Sequence, residues 1–329
     1  MKIHNKLAIA VLVSFSALCT GVSAYAADET YSMVGIPKLR SAWFNDYEAG
    51  LKKAEKDFGI KTYFQAPASA DEQQQVSVIR DSISQGNNAL LVVPNNASSV
   101  EPVFKQARTQ NIVVITHESV NQKEADYDVE MIENQKFGSY MMDQFAKHAG
   151  EKGEFAIYVG SLTVPAHNIW ADAAIKRMKE KYPQMKLVAE RFPVSEDRNA
   201  SRQKTLELIA TYPDMKGVLS FGSQGAPGAG QALREKGMVG KLTVIGTTSP
   251  KESARFLEDG AITESILWSP GEASYAMAYI AKLVLDGKRD QIKQGLEVPG
   301  LGKPEINGMN IIFDKPLTVT KENYKKYDF

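Results

Sequence analysis

Apolar positions along the chain come in two alternating rhythms. Tyr31–Ile36 is strand-like, and then Phe44, Tyr47, Leu51, Ala54 and Phe58 recur at helical spacing until Gly59. Ile60–Gln65 predicts a second strand, and Val76, Ile79 and Ile83 a second helix closed by Gly86. Ala89–Val93 and Ile112–Thr116 are short runs apolar on both faces, the mark of strands buried in a parallel sheet. Between them Val100, Val103, Phe104 and Ala107 form a helical face. The rhythm restarts after Asp126–Ile132 and gives strands at Glu154–Val159, Lys186–Arg191, Gly217–Phe221, Leu242–Gly246 and Ile262–Trp268, with helices between them. A long helix over Gly271–Asp286 and one more strand, Met309–Phe313, complete the series. Strands alternating with helices predict an α/β fold with a doubly wound parallel sheet, and the number of units exceeds one compact sheet. The restart near Ile132 predicts a second lobe built like the first. The two openings match in kind: MVGIPKLRSAW and AIYVGSLTVPAHNIW each run strand, loop, aromatic, helix.

Composition narrows the class. The chain has 329 residues, with 39 basic and 39 acidic side chains. Lys2 and Lys6, the apolar run Leu7–Leu18 and Ala24-Tyr25-Ala26 read as a secretory signal peptide over residues 1–26, cleaved after Ala26. Cleavage leaves 37 basic against 39 acidic residues, a net of −2. The sole cysteine, Cys19, lies in that segment, and Leu18 before it is too large for a lipoprotein signal. The mature chain is therefore expected to be exported, to form no disulfide and to offer no thiolate nucleophile. No basic stripe points to nucleic acid, and a monomer is expected.

Ligands of open α/β sheets bind outside the carboxyl ends of strands. Those ends carry Lys38, Arg40, Trp43, Phe44, Asn95, Asn96, His117 and Glu118 in the first half, and Thr163, His167, Asn168, Trp170, Ser223, Gln224, Pro227, Thr247, Thr248 and Trp268 in the second. The set is polar, nearly neutral and interleaved with large aromatics, which suits an uncharged ligand rich in hydroxyls and flat on one face, such as a sugar. Within the first end, Lys38 is the favoured hydrogen-bond donor, Trp43 or Phe44 the ring platform, and Arg40 a rim residue. His117, Glu118 and His167 lack the local spacing of a metal site, so no metal or cofactor is expected. Glu118 as the base of a glycosidase-like enzyme stays open as a second class. In GSQGAPGAG (Gly222–Gly230), Gly228 and Gly230 begin a G-x-G, but Leu233 stands where a third glycine would complete a dinucleotide fingerprint. A tight strand-to-helix turn is the preferred reading of that stretch.

Several motifs in order carry a further identification: GIPKL (Gly35–Leu39), THES (Thr116–Ser119), TVPAHNIW (Thr163–Trp170), PGAGQA (Pro227–Ala232), Leu267-Trp268 and the ending KENYKKYDF. Together they resemble the type I periplasmic binding proteins of sugar ABC transporters, nearest the autoinducer-2-binding and rhamnose-binding branch. The resemblance implies two α/β lobes joined by three hinge strands, with lobes over 27–131 plus 268–312 and 132–267 plus 313–329. It implies that Lys38 bonds ligand oxygens, that Glu118 replaces a ligand-binding aspartate, that Pro227 and Ala229 offer backbone contacts, and that Trp268 borders the pocket. The implied ligand is a pentose, deoxyhexose or polyol passed to a membrane permease, with autoinducer-2 as the alternative. Proteins of this kind that bind autoinducer-2 carry Asp-Gln where this chain has Ala166-His167, so a strong acceptor for ligand hydroxyls is missing at that loop.

Overall fold

The computed structural model describes residues 30–329. The signal segment and its cleavage site lie outside the described residues. The first half runs β1 (Ser32–Ile36), α1 (Trp43–Phe58), β2 (Lys61–Phe64), α2 (Glu72–Ser84), β3 (Ala89–Val92), α3 (Ala97–Thr109), β4 (Val113–His117) and β5 (Tyr127–Glu130). The second runs α4 (Asn134–Ala149), β6 (Gly153–Val159), α5 (Pro165–Lys181), β7 (Met185–Leu187), β8 (Phe192–Pro193), α6 (Arg198–Thr211), β9 (Gly217–Ser220), α7 (Gly225–Glu235), β10 (Thr243–Gly246), α8 (Pro250–Asp259) and β11 (Glu264–Leu267). The chain then continues through α9 (Pro270–Leu285), β12 (Glu305–Asn307), β13 (Asn310–Ile312) and β14 (Leu317–Val319).

Two sheets result, each the centre of an α/β lobe. The first has the order β12-β13-β5-β4-β3-β1-β2, the second β14-β11-β10-β9-β6-β7, with β8 also paired to β6. All pairings are parallel except β12 with β13 and β14 with β11. In each sheet the opening strand lies inside, with its successor on one flank and the later strands on the other. The order therefore reverses between β1 and β3, and again between β6 and β9, and a crevice opens at each reversal. The matching openings noted in the sequence occupy these equivalent places.

The chain passes between sheets three times: from β5 into α4, from β11 into α9, and from β13 into β14. The first and third passages run side by side, Phe313 N–H donating to Glu130 O at 2.8 Å and Lys315 N–H to Met131 O at 2.6 Å. Helix α9 returns to pack on α1, β4 and β5 of the first lobe. One apolar cluster runs from Trp43 and Phe44 through Trp268 and Trp170 into the second lobe, while a separate cluster, mostly Val and Ile around Phe104, fills the opposite face of the first sheet.

The tail holds three short strands where the pattern predicts one. Strands β12 and β14 are three residues each and partly exposed, so no apolar run announces them. Most of the glycine-rich stretch is helical rather than a loop: α7 begins at Gly225. Its glycines serve packing, since a Cβ at Gly228 would lie 2.5 Å from Arg198 O, and one at Gly225 would lie 1.9 Å from Ser220 Oγ. The tightest helix contact is in the first lobe, where a Cβ on Gly50 of α1 would fall 2.0 Å from Gly271 O of α9. Gly50→Ala must spread the two helices and is expected to cost about 1–3 kcal/mol as overpacking. Urea unfolding measures it, and a wild-type midpoint contradicts the contact.

Candidate functional site

The loops after β1, β4, β6, β8, β9 and β10 converge between the lobes. Pro37 ends β1, and Lys38 follows with its side chain only 3 % exposed. Asn95, after β3, donates from Nδ2 to Lys38 O at 2.8 Å. Gln75 of α2 ties the same loops, donating to Pro37 O at 3.1 Å and Val93 O at 2.8 Å and accepting from Asn95 N–H at 2.8 Å. The backbone that carries Lys38 is thereby fixed before any charge is considered.

Lys38 Nζ reaches groups of both lobes. It donates to Glu118 Oε2 at 2.7 Å, lies 3.3 Å from Glu196 Oε1, and stands 3.0 Å from His167 Nε2. Glu118 comes from the first lobe; His167, in the first turn of α5, and Glu196, just ahead of α6, come from the second. Glu118 has φ +58°, a left-handed backbone that costs a non-glycine residue about 1–3 kcal/mol and concentrates at functional sites. Ser119 N–H holds the turn by donating to Asp128 Oδ1 at 3.3 Å.

Burial alone would lower the Lys38 ammonium, but Glu118 and Glu196 more than offset it and hold it above its usual value. Burial pushes the Glu196 carboxyl up, against the opposing pull of Lys38. Burial, then Lys38, holds His167 well below the usual imidazole range, so the ring is neutral.

Large aromatics wall the cluster. Trp268 meets Trp43 edge-on at 5.4 Å, Trp170 at 5.3 Å and Phe137 at 5.6 Å, and its Nε1–H donates to His117 Nε2 at 3.1 Å. Trp170, whose Nε1–H donates to Asn134 Oδ1, stacks on His167 at 5.3 Å. The space left among Lys38, Trp43, Phe44, Glu118, His167, Glu196, Phe221, Ser223, Thr247 and Trp268 is about 10 Å³. That is at the limit for one water, so a sugar enters only if the lobes part. Thr247 Oγ1, on this wall, has no hydrogen-bond partner among the described residues.

Of the residues singled out from sequence, Lys38, Trp43, Phe44, Glu118, His167, Ser223, Thr247 and Trp268 meet at this cavity. Asn95, Asn168, Gln224, Pro227 and Ala229 are among those placed outside its lining. Asn95 supports the Lys38 backbone. Asn168 donates to Ser161 O and Val164 O and accepts from Arg191 Nη1 at 2.8 Å, holding the start of α5. Gln224 joins a network with Arg198 and Glu252. Pro227 and Ala229 are buried within the opening turns of α7. Asn95 and Asn168 follow strands but turn to backbone carbonyls of loop and helix, and Gln224 turns to the side chains of Arg198 and Glu252. Arg40 is exposed and lies over Phe64 at 5.0 Å, at the rim.

Glu196 was not legible as a site residue. The apolar pattern predicts one strand through Lys186–Arg191, whereas the chain forms β7 and then the two-residue β8, and Glu196 follows β8 as Glu118 follows β4. The one signal for it is an acidic residue directly before Asp197, the side chain that caps α6 by accepting from Ala200 N–H. Glu196 also changes the argument about Ala166: a second carboxylate does reach the cleft, from a different loop.

Below the cleft, Asp128 and Glu130 share one face of β5, both fully buried. Asp128 Oδ1 accepts from Thr116 Oγ1 at 2.6 Å, while Asp128 Oδ2 and both Glu130 oxygens have no other partner among the described residues. Burial, then the adjacent Asp128, pushes the Glu130 carboxyl well above the carboxylate range, so the pair holds a proton. An acid whose folded value is raised binds more protons folded than unfolded. Its contribution is complete below the ordinary value of about 4.3 and is lost as pH rises toward the folded value, by up to about 1.4 kcal/mol per pH unit. Glu130→Gln keeps a donor without the titration. Its melting temperature is expected to gain on wild type as pH rises above the ordinary carboxylate range, and a gap that stays constant with pH contradicts the shared proton.

Two parallel-sheet lobes, three passages between them and a charge cluster drawn from both sides define a protein that holds a ligand between its halves. The chain belongs to the periplasmic binding protein domain family, which matches residues 34–289. It is similar to the D-allose-binding periplasmic protein of Escherichia coli (strain K12), 25% identical over 301 residues that cover 88% of this chain and 92% of that protein. Among solved structures it is similar to LsrB from Clostridium saccharobutylicum in complex with AI-2, with a TM-score of 0.84, 24% identity, and 91% of this chain and 100% of that chain covered. A solute-binding protein from Clostridium phytofermentas with bound L-rhamnose also gives 0.84, at 22% identity, covering 91% of this chain and 98% of that one. No helix among the described residues is long and apolar enough to cross a membrane.

Proposed function

We propose that the chain is an exported receptor. It captures a small neutral sugar, a pentose, deoxyhexose or related polyol, between its lobes and presents it to the membrane permease of an ABC transporter. It acts as a monomer, binds no nucleic acid and leaves its ligand chemically unchanged. The observation that carries this reading is Lys38, buried between Glu118 of its own lobe and Glu196 and His167 of the other. Such a cluster binds only as the lobes meet, so a ligand whose hydroxyls join it favours the closed arrangement and shifts the population toward it. The aromatic walls supply flat faces for sugar C–H groups. The relatives support the class, since the D-allose-binding protein and a D-xylose-binding protein each match most of the chain.

A thermal-shift panel of D-allose, D-xylose, D-ribose, L-rhamnose, xylitol and autoinducer-2 tests the reading. A ligand present at a hundredfold excess over its Kd stabilises by about 2.7 kcal/mol, which is readily seen. Stabilisation by a sugar that is recovered intact supports the receptor. Turnover of a glycoside, abolished by Glu118→Gln, replaces it with the enzyme reading. Stabilisation by autoinducer-2 alone selects the second reading, which the likeness to a protein solved with AI-2 keeps in view.

A further inference from the structure

Three charged side chains line the cleft cavity: one cation, Lys38, and two carboxylates, Glu118 and Glu196. The neighbouring imidazoles add no charge. His117 Nδ1–H donates to Val129 O at 2.6 Å, and its Nε2 accepts from Trp268. His167 Nδ1 accepts from Gly160 N–H at 3.0 Å, which places the one proton of that ring on Nε2. The formal charge of the buried cluster is therefore −1.

The same assignment leaves two donors facing each other. His167 Nε2–H stands 3.0 Å from the Lys38 ammonium, and the nearest carboxylate oxygens, on Glu196 and Glu118, are 3.7 Å and 3.8 Å away. A ligand oxygen that enters as the lobes part and sits against both donors accepts from each. Its own proton and that of an adjacent hydroxyl then find acceptors in Glu118 and Glu196 on either side. An anionic ligand has the opposite balance. It would add a second net negative charge to a site shielded from water, with Lys38 already engaged by two carboxylates.

We propose that Glu196 is a specificity-determining residue: with Glu118 and Lys38 it reads two neighbouring hydroxyls of a neutral polyol, and its carboxylate excludes the corresponding sugar acids and sugar phosphates. The inference rests on the receptor reading and goes further by assigning selection to one side chain. Glu196 Oε2 also accepts from Ser223 Oγ at 3.2 Å. Glutamine at this position keeps that acceptor and the side-chain length while removing the charge.

The test is calorimetric titration of three pairs: D-ribose with D-ribose 5-phosphate, D-xylose with D-xylonate, and L-rhamnose with L-rhamnonate. Wild type is expected to prefer the neutral member of any pair it binds by about a hundredfold or more, and Glu196→Gln to cut that ratio about tenfold or more. Glu196→Asp keeps the charge and should keep the preference, which separates charge from packing if either variant is less stable. Binding of an acid or phosphate as tight as its neutral partner overturns the inference and leaves the receptor standing. An unchanged ratio in Glu196→Gln does the same. Binding of no member of any pair overturns the receptor reading for these sugars and the inference with it.

Discussion

Lys38→Met is expected to lower the stability of the protein by about 3–5 kcal/mol and to abolish ligand binding, because it strands two buried carboxylates that shared one cation. The Lys38, Glu118 and Glu196 side chains are 3 %, 3 % and 6 % exposed, so water cannot take the place of the ammonium. The two losses should come apart. Adding Glu118→Gln and Glu196→Gln to Lys38→Met removes the stranded charge and should restore most of the stability, because amides accept and donate among themselves. It should not restore binding, because the charged donor and acceptors for the ligand are gone. The deficit of the single variant should also shrink toward pH 4, where unpaired carboxyls take up protons. Urea unfolding at two pH values measures all of this, and a single variant as stable as wild type at pH 7 contradicts the buried cluster.

Trp268→Ala is expected to cost a further kind of stability, about 3–5 kcal/mol, through an emptied site in the core. Trp268 is 1 % exposed and touches Trp43 of the first lobe and Trp170 and Phe137 of the second. It stands where β11 passes into α9, so its loss loosens both lobes at one of their three junctions. His117 Nε2 would also lose its donor. Trp268→Phe should recover most of the packing but not that hydrogen bond, leaving a deficit of about 1–2 kcal/mol. Since the indole borders the cavity, the alanine variant should also weaken ligand binding by about 1–3 kcal/mol. Wild-type affinity in a folded Trp268→Ala protein would remove the indole from the ligand wall.

The elements that were plain in the sequence are those whose burial is uniform. Strands β3 and β4 are buried at every residue, and their ALLV and VVIT runs say so directly. Helix α1 shows its face through Tyr47, Leu51 and Ala54 and its end through Gly59, which takes the left-handed φ of +65°. Short edge strands gave no such pattern, and β8, the two residues that aim Glu196, left none at all. Helix α7 was obscured by glycines that look like a loop until α6 is seen against them.

The site was legible in part for the same physical reason. Lys38, Glu118, His167 and Trp268 lie at or just beyond the carboxyl ends of strands that the apolar pattern shows, so their place at the cleft edge could be inferred from strand direction alone. Whether a polar side chain at such an edge turns to the cavity or to its own loop depends on backbone angles that composition does not carry. Asn95 and Asn168 turned to backbone carbonyls. Glu118 turned inward on a left-handed residue that no propensity would assign to glutamate. The pairing of Lys38 with Glu196, 158 positions apart in number, is a property of the closed lobes and of nothing local.

Small-angle scattering with and without a stabilising sugar tests the central claim most directly. Saturating ligand is expected to lower the radius of gyration of the wild type as the lobes draw together, Lys38→Met in its charge-compensated form to show no such change, and the sugar to be recovered unaltered. A wild-type radius that does not respond to a bound sugar, or a sugar consumed in the measurement, would contradict it.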